Sequence, residues 1–373
     1  MIYLDNAATT RNKPEEVYEA VNHYLREIGV SPGRGSYSLG IEASRMLYKS
    51  RCTVGKYFGM TQPDRVLFTK NSTEAINLFF NGVLKQGDHV IISCYEHNAV
   101  LRPIQHLADK GVIEYSVIAR KDLTLTAAEL FAKYAKKNTR VLAITLASNL
   151  TGRIVFREDW SKYFKEKEII TFIDSSQGAG KITLNMRMQG IDFLAFTGHK
   201  DLLGIPGTGG LCCESKERIN PLIQGGTGIH GEAYTNPDVF PEGLEAGTLN
   251  MPAIWALKNG VDYISSNATE IRTHEKQLMA YLINGLQRID KVKIYDLEVP
   301  RVSTCCFTVE NQPSDQTIAM LDAAGICARG GIHCAILAHE AIGTVRTGAV
   351  RISLGYKNSR EEIDRLLEVL RSR

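Results

Sequence analysis

The middle of the chain alternates between short, largely apolar stretches and longer amphipathic stretches. The apolar stretches predict six β-strands: RVLFT (65–69), HVIIS (89–93), RVLAITL (140–146), IITFI (169–173), DFLAF (192–196) and TGGLCC (208–213). Strands that are apolar along most of their length are typical of a parallel sheet covered on both faces. Helical stretches lie between them, at 74–84, 98–109, 126–137 and 157–166. This alternation predicts an α/β fold with a mostly parallel sheet.

From about residue 251 the pattern changes. A long helical stretch over 252–266 and 268–288 is followed by the strand-like segments VKIYD, VSTCCFTV and GAVRISLG and by helical stretches at 314–324 and 360–371. Short strands mixed with helices in this way are typical of a small α+β domain. We therefore expect a large domain over 14–250 and a smaller C-terminal domain over 251–373, with residues 1–13 packing on the smaller one.

Composition and charge exclude several classes of function. The 373 residues are 44% hydrophobic and 23% charged, and the net charge is only +3. A nucleic-acid-binding protein would carry a basic stripe, and the sequence has none, so no nucleic-acid partner is expected. The N-terminal stretch MIYLDNAATT lacks the pattern of a secretory signal, and no apolar run is long enough to span a bilayer. We expect a cytoplasmic protein without a membrane partner.

Eight cysteines are too few for a disulfide scaffold in a chain of this length, and no C-x-x-C motif occurs. Five are interpreted as buried, reduced thiols, namely Cys94, Cys212, Cys213, Cys305 and Cys306. Cys334 lies in the stretch RGGIHCAILAH (329–339). Taken alone, it could be an inert side chain, a metal ligand or a reactive thiol. No metal-ligand spacing surrounds it, and no metal site is predicted.

Ligands of open α/β sheets bind beyond the carboxyl ends of the strands, so the residues that follow each strand are candidates for function. Ser72 and Thr73 begin a helix after the first strand, where they could either cap the helix or hold a phosphate. His97 follows the second strand, where a surface or capping role is the simpler interpretation. Asn149 follows the third strand, and turn chemistry alone could explain it.

The next two strands end in residues with stronger chemical implications. Asp174 ends a buried strand, where a carboxylate needs a cation or a strong donor, and Gln177 lies three residues further on. Lys200 follows in a glycine-rich loop with Thr197 and His199, and burial there would make it a nucleophilic amine; the alternative is a surface lysine. Together, the strand ends supply what pyridoxal 5'-phosphate (PLP) needs: donors for a phosphate, a ring to stack on, a carboxylate for the pyridine nitrogen and a lysine for the aldehyde.

The chain also resembles a known family over nearly its whole length. The matching motifs are YLDNAATT, NSTEAINL, EHNAV, DSSQGAG, FTGHKDLLGIPGTGGL, EAGTLN, GGIHCA and VRISLGYKN. As an ordered set they resemble the class V aminotransferase superfamily, and within it the cysteine desulfurases and selenocysteine lyases. The resemblance implies the type I fold of PLP-dependent transferases, with a seven-stranded, mostly parallel sheet in the large domain and a smaller α+β domain.

The resemblance implies a role for each matching residue at the cofactor. Lys200 would bind PLP covalently, Asp174 would hold the pyridine nitrogen and Gln177 would hydrogen-bond the ring hydroxyl. His97 would stack on the ring and is a candidate for moving protons. The phosphate would be held by the remaining residues of this set, which are Thr73, Thr197, His199 and the backbone of Ser72.

Further implied roles concern the substrate and a second subunit. Thr248 would reach the phosphate of the neighbouring subunit, which implies a homodimer with active sites at the interface. Asn149 and Arg351 would bind the substrate carboxylate, a task to which a forked guanidinium is well suited. Without the resemblance, Arg351 would be interpreted as a surface residue of a strand.

Cys334 would be the catalytic nucleophile. In the implied reaction L-cysteine is converted to L-alanine, and its sulfur is left on Cys334 as a persulfide. The thiolate is the reactive form, and Arg329 and His333 are close enough in sequence to supply positive charge. The glycines before Cys334 suggest a mobile, exposed arm. The short spacing to Arg351 resembles the SUF-like group, which implies a sulfur-acceptor protein and a link to iron–sulfur cluster assembly.

The sequence departs from the family pattern at three places. Leu146 stands where many relatives carry histidine, residues 36–38 are Ser-Tyr-Ser after Arg34-Gly35 where histidine is frequent, and His339 lies in a variant tail after Cys334. These departures leave the substrate open, so a selenocysteine lyase and a cystine-type C–S β-lyase are alternatives. A non-catalytic PLP-binding protein is a further alternative, against which the intact Lys200 argues.

Overall fold

The computed structural model describes residues 1–33 and 35–372. Its strands are β1 (Ile2–Tyr3), β2 (Val66–Thr69), β3 (Asp88–Ser93), β4 (Ile113–Ile118), β5 (Thr139–Thr145), β6 (Ile170–Asp174), β7 (Phe193–Thr197), β8 (Gly209–Cys213), β9 (Val292–Ile294), β10 (Thr304–Val309), β11 (Ile326–Cys327) and β12 (Val350–Ser353). Its α-helices are α1 (Glu15–His23), α2 (Ser38–Tyr57), α3 (Ser72–Val83), α4 (Asn98–Asp109), α5 (Ala127–Tyr134), α6 (Glu158–Glu166), α7 (Met251–Leu286), α8 (Ser314–Ala323), α9 (Ile336–Ile342) and α10 (Arg360–Arg371). Arg34, part of the Arg-Gly stretch singled out above, lies outside the described residues.

Seven strands form the central sheet, in the order β2-β8-β7-β6-β5-β3-β4. Only β8 runs antiparallel to its neighbours, so the sheet is mostly parallel, as predicted. Each of the six predicted strands is present, with its ends within one residue of the prediction. The seventh strand, β4, was not among the sequence candidates, because it lies at the edge of the sheet and four of its six residues are not buried.

Apolar side chains cover both faces of this sheet. Successive residues of β3 alternate between two clusters: Ile91 packs in one, and Val90 and Ile92 pack in the other. The adjacent cysteines divide in the same way, with Cys212 in the first cluster and Cys213 in the second. This alternation follows from the two-residue repeat of a strand, and it explains why the strands are apolar on both sides.

The C-terminal part of the chain builds two small sheets and a third apolar cluster. One sheet has the antiparallel order β12-β10-β9, and the other pairs β1 with β11 in parallel. The bridge between Asp5 and Ser353 also joins the N-terminal segment to β12. Leu4 packs in the same cluster as Ile352 and Leu366, so the first residues of the chain contact its last third.

The long helix α7 runs without the break expected at residue 267. Asn267 donates its side-chain amide to the carbonyl of Tyr263, one turn earlier, so the polar residue is accommodated inside the helix. Ile254 and Leu257 of α7 pack with the large-sheet cluster, whereas Leu282 packs with the C-terminal one. We propose the domain division at residues 250 and 251 with α7 as the element that joins the two parts. Across residues 1–33 and 35–372, no helix combines the length and the apolar character that crossing a membrane requires.

Candidate active site

The strand order brings the predicted site residues to one edge of the sheet. The parallel strands β7, β6, β5 and β3 are neighbours, so their carboxyl ends lie side by side. Thr197 and Asp174 are the last residues of β7 and β6, and Asn149 and His97 follow β5 and β3. This is the edge at which open α/β sheets bind their ligands.

Lys200 lies in the loop after β7 and is surrounded by charged groups. Burial lowers the pKa of Lys200 to about 8; Asp174 opposes this shift, and the positive charge of Arg351 adds to it. A lysine with an ordinary pKa is almost wholly protonated at neutral pH, whereas this one has an appreciable fraction of neutral amine. Its environment therefore favours nucleophilic attack on a carbonyl carbon.

Asp174 is buried at the end of β6, and its carboxylate is held by the turn that follows. Its Oδ1 accepts hydrogen bonds from the backbone N–H and the hydroxyl of Ser176, at 3.0 and 2.5 Å. Gln177, in the same turn, donates from Nε2 to the carbonyl oxygen of Ala7 at 2.8 Å. The N-terminal segment thus contacts the site, a role of Ala7 for which the sequence gives no signal.

His97 caps α4 and is neutral. Its Nδ1 accepts a hydrogen bond from the backbone N–H of Ala99 at 3.0 Å. Burial, together with the nearby charge of Lys200, lowers the pKa of His97 to about 4. Because Nδ1 is occupied as an acceptor, the ring proton of the neutral form lies on Nε2. The capping interpretation is correct, and the exposed part of the ring is still available for stacking or for donating that proton.

The start of α3 provides backbone N–H groups near the end of β7. Asn71, rather than Ser72 or Thr73, is the cap, because its side chain accepts from the backbone N–H of Glu74 at 3.0 Å. The helix start therefore does not need the hydroxyls of Ser72 and Thr73. The close approach of β8 to this turn requires glycine, since a Cβ at Gly209 would lie 2.5 Å from the carbonyl carbon of Asn71.

Thr197 is buried on the neighbouring strand, and its hydroxyl has no hydrogen-bond partner among the residues that the structure describes. His199 follows two residues later, and its Nδ1 lies 3.0 Å from the hydroxyl of Thr9. Burial lowers the pKa of His199 to about 4. Lys13 donates to the carbonyl of His199 at 2.6 Å, and burial lowers the pKa of Lys13 to about 8. Sequence reasoning missed Lys13, because it lies far from the strand-end motifs.

Arg351 is buried in β12 and pairs with the N-terminal segment. Its Nη2 contacts Oδ1 of Asp5 at 2.5 Å, and its Nη1 donates to the carbonyl of Asn149 at 2.9 Å. The surface interpretation of Arg351 is therefore wrong, since its side chain is only 1% exposed. Within the described part of the chain, Nε of Arg351 and Oδ1 of Asn149 are buried without a hydrogen-bond partner. Both atoms are suited to a ligand with a carboxylate and a donor group.

Cys334 differs from the other cysteines in its exposure. All eight cysteines lie within the described residues, and Cys334 alone among them is exposed. The five cysteines interpreted as buried are buried, and burial raises the pKa of Cys94 and Cys213 to about 12. Cys334 is thus the thiol most accessible to a substrate, whereas Cys52 and Cys327 are half-buried.

The segment around Cys334 is held by hydrogen bonds from two sides. The backbone N–H of Asn98, at the start of α4, donates to the carbonyl of Cys334 at 2.8 Å. The side chain of Asn149 donates to the carbonyl of His333 at 2.7 Å. These bonds argue against the mobile arm suggested by the glycines, and they fix Cys334 beside His97.

His333 and Cys334 both have left-handed backbone conformations, with φ of 56° and 54°. A residue with a Cβ adopts this region at a cost of about 1–2 kcal/mol, so the surrounding contacts must impose it. His333 is also buried, and burial together with Arg351 lowers its pKa to about 3. His333 is therefore neutral, and the expectation that it supplies positive charge to Cys334 is wrong. Arg329, whose charge acts on the pKa of both His97 and Lys200, remains as the nearby cation.

Thr248 is exposed and lines a cavity of about 620 Å³ together with Asn71, His199 and Gly207. The cavity adjoins the start of α3 and opens to solvent. Thr248 is thus close to the predicted phosphate residues of its own chain. Its contact with a neighbouring subunit stays a prediction.

The departure at Leu146 affects the packing under the site. Leu146 is fully buried, and a Cβ at Gly178 would lie 2.9 Å from its Cδ2 atom. The side chain therefore packs against the turn that carries Asp174 and Gln177. In this protein the position is structural rather than ionisable.

Comparisons with known proteins agree with this fold. The family model described as aminotransferase class V matches residues 2–366. A probable cysteine desulfurase from Methanothermobacter thermautotrophicus is 31% identical over 378 residues, which cover 99% of this chain and 94% of the relative. A cysteine desulfurase from Yersinia pestis is 30% identical, with coverage of 98% and 92%.

Solved structures give the same result. The apo cysteine desulfurase from Thermococcus onnurineus NA1 has a TM-score of 0.90 and 30% identity, covering 100% of this chain and 94% of that one. A NifS-like protein has a TM-score of 0.86 and 27% identity, with coverage of 100% and 98%. The predicted type I fold of PLP-dependent transferases is confirmed by these neighbours. The match over residues 2–366, together with the order of the central sheet, shows that this chain belongs to the class V aminotransferase family.

Proposed function

We propose that the protein is a PLP-dependent cysteine desulfurase that converts L-cysteine to L-alanine and accepts the sulfur as a persulfide on Cys334. The observation that carries the proposal is the position of Cys334, the exposed cysteine, which is hydrogen-bonded to the start of α4 next to His97. The two relatives are named probable cysteine desulfurase and cysteine desulfurase, and the solved structure at 30% identity is a cysteine desulfurase, which supports this choice over the lyase alternatives.

The residues present fit PLP. The buried hydroxyl of Thr197 has no partner within the described residues, and it lies close to the free N–H groups at the start of α3. Lys200 has a lowered pKa, and the charge of Asp174 acts on it, so an amine and a carboxylate lie within electrostatic reach of each other. These are the groups that a phosphate, an aldehyde and a protonated pyridine nitrogen require.

PLP, when bound, withdraws electrons from the α-carbon of an amino-acid substrate. The residues of this chain would bind and orient the two molecules. Lys200 would hold the cofactor covalently and then take the α-proton at Nζ. Asp174 would keep the pyridine nitrogen protonated, with its Oδ1 fixed by Ser176. His97 would stack on the ring with its proton on Nε2.

Arg351 would bind the substrate carboxylate, and Oδ1 of Asn149 would accept from a donor group of the substrate, so that the two residues set the direction of the substrate side chain. The thiolate of Cys334 would then attack the substrate sulfur. A new S–S bond forms on Cys334 as the C–S bond breaks, and the bonding electrons stay with the substrate carbon. Protonation of that carbon, together with return of the α-proton from Nζ of Lys200, would give alanine.

We also propose that the enzyme acts as a cytoplasmic homodimer in which Thr248 contacts the phosphate held by the partner. The exposure of Thr248 and its place in the cavity beside His199 support this arrangement. The persulfide of Cys334 would be passed to an acceptor protein, as iron–sulfur cluster assembly requires. The exposure of Cys334 supports such a transfer.

The test compares the Cys334→Ala variant with a matched Cys52→Ala variant, in which a half-buried thiol of α2 is removed. Both purified proteins are expected to bind PLP. Alanine formation from L-cysteine should be lost in Cys334→Ala and kept in Cys52→Ala. Unchanged alanine or pyruvate formation by Cys334→Ala would instead identify a lyase, and a pure protein that binds no PLP would refute the proposal altogether.

A further inference from the structure

His339, part of the variant tail after Cys334, is not explained by the proposed reaction. Its side chain is fully buried, on the short helix α9 that follows Cys334. The ring is nearly parallel to that of His333, at an angle of 9° and a centroid distance of 5.6 Å. Two buried imidazoles in contact, directly beside an exposed thiol, call for a physical explanation.

The hydrogen bonds of these rings form a chain with a fixed direction. His333 Nε2 lies 3.1 Å from the carbonyl oxygen of Arg329, which can only accept, so Nε2 carries the proton. His333 Nδ1 is then the acceptor that faces Nε2 of His339, at 3.4 Å. His339 Nδ1 in turn accepts from the hydroxyl of Thr344 at 2.7 Å. Each ring is neutral in this chain.

The neutrality of the rings agrees with their surroundings. Burial, with the nearby charge of Arg351, lowers the pKa of His333 to about 3. Burial also lowers the pKa of His339, and the nearby backbone of Thr344 and Ile332, which would favour a charged ring, opposes this shift. Both rings are therefore neutral at neutral pH, and the assignment of their protons rests on the hydrogen-bond partners.

Thr344 is itself fixed relative to α9. Its backbone N–H donates to the carbonyl of His339 at 2.9 Å, across the left-handed Gly343 that ends the helix. The backbone and the hydroxyl of Thr344 thus both contact His339. This closes the C-terminal end of α9 and sets the orientation of the imidazole that faces His333.

We propose that His339 and Thr344 are positioning residues that hold Cys334 in place through the ring of His333. The inference rests on the proposed role of Cys334. The left-handed conformations at His333 and Cys334 are unfavourable for residues with a side chain, and persist only where neighbours impose them. Asn98 and Asn149 donate to the carbonyl oxygens of Cys334 and His333. His339 contacts the imidazole of His333, so the backbone and the side chain of this turn are both held.

Asparagine and glutamine at position 339 separate the two contacts of the ring. Glutamine places an amide N–H near the position of Nε2 and can still donate to His333. Asparagine is shorter and reaches only toward Thr344. His339→Asn should therefore release His333, whereas His339→Gln should retain it.

His89 offers a matched control. It is another fully buried histidine with two hydroxyl contacts, to Thr139 at 2.8 Å and to Ser116 at 2.9 Å. It lies near the amino end of β3, opposite the carboxyl edge that carries the site. His89→Asn therefore measures the general cost of removing a buried imidazole.

The first measurement is backbone hydrogen exchange over residues 333–337 in the cofactor-free protein. Exchange is expected to be about tenfold faster in His339→Asn, because one hydrogen bond that closes the segment is lost. His339→Gln should stay within about threefold of the wild type by the same reasoning, as should His89→Asn in this segment. Equal acceleration in His339→Asn and His89→Asn, or none in either, would overturn the proposal.

The second measurement is the kinetics of alanine formation with PLP bound. His339→Asn should lower kcat about tenfold and leave KM for cysteine unchanged, since a misplaced nucleophile affects the sulfur-transfer step rather than binding. If His339→Asn does not fold, Thr344→Val, which replaces the hydroxyl by a methyl group, should give faster exchange in the same segment. Unchanged exchange there would contradict the proposal. Full alanine formation by Cys334→Ala would refute the proposed function, and the exchange data would still decide whether His339 holds this turn.

Discussion

Replacing Arg351 by lysine keeps a positive charge on β12 but removes the forked guanidinium. In the wild type this group is 1% exposed and makes two contacts, to Asp5 at 2.5 Å and to the carbonyl of Asn149 at 2.9 Å. Its Nε is buried without a partner among the described residues, which leaves a donor for the substrate. A lysine ammonium can pair with Asp5 but cannot offer two parallel donors to a carboxylate.

The magnitude follows from the bonds that are lost. A hydrogen bond to a charged group contributes about 1.5–3 kcal/mol, so the loss of one such bond to the substrate corresponds to a rise in KM for L-cysteine of about 10- to 150-fold. The kcat should fall less, because Lys200 and Cys334 are unchanged. Steady-state alanine formation, measured over a wide range of cysteine concentrations, gives both constants.

The matched variant is Asp5→Asn, which removes the carboxylate partner of Arg351 but keeps the guanidinium. Both variants should lose about 1–3 kcal/mol in the free energy of unfolding, because each disturbs a buried charged contact. Only Arg351→Lys should raise KM strongly. If Asp5→Asn raised KM as much, or if Arg351→Lys left it within about threefold of the wild type, Arg351 would be a structural residue and the carboxylate assignment would be refuted.

Three further predictions follow from buried groups. The rate of PLP capture by the cofactor-free protein should rise with pH through a midpoint of about 8, because the lowered pKa of Lys200 leaves its amine neutral above that pH. Stopped-flow absorbance measures this rate, and a midpoint near 10.5 would contradict the prediction. Thr197→Val should weaken PLP binding about fivefold and leave the thermal stability of the cofactor-free protein equal or higher, since the hydroxyl has no partner within the described part of the chain. Fluorescence titration measures the affinity, and thermal unfolding measures the Tm. A lower Tm with unchanged affinity would mean that the hydroxyl is structural. Lys181→Met should lower the free energy of unfolding, measured in urea, by about 3–5 kcal/mol. Lys181 contacts Asp201 at 3.1 Å and Glu275 at 2.8 Å, so its removal leaves two buried carboxylates unpaired. A loss below about 1 kcal/mol would refute the importance of this ion cluster.

The central sheet could be predicted because its strands are buried on both faces. Such strands give continuous apolar segments, and the helices between them have clear periodicity; the helix predicted at 98–109 matches α4 at both ends. The edge strand β4 could not be found in this way, because half-exposed residues interrupt its apolar pattern. The break expected inside α7 does not occur, since Asn267 bonds back to its own helix.

The site residues that directly follow strands could be predicted from the sequence. Lys200, Asp174 and His97 are of this kind, because parallel strands bring their carboxyl ends together. Contacts that depend on distant segments were not accessible. Asp5 and Arg351 are in contact although almost the whole chain separates them in sequence, and no local sequence pattern predicts such a pair. The neutrality of His333 is also a tertiary effect, which arises from burial and from Arg351.

The central claim is that Cys334 receives the sulfur of L-cysteine. The most direct test is mass spectrometry of the PLP-bound protein after brief incubation with L-cysteine, without reductant, followed by peptide mapping of all eight cysteines. The account predicts a mass increase of about 32 Da, one sulfur atom, on the peptide that contains Cys334. Efficient release of alanine or pyruvate with Cys334 unmodified, or an added sulfur on Cys52 instead, would contradict it.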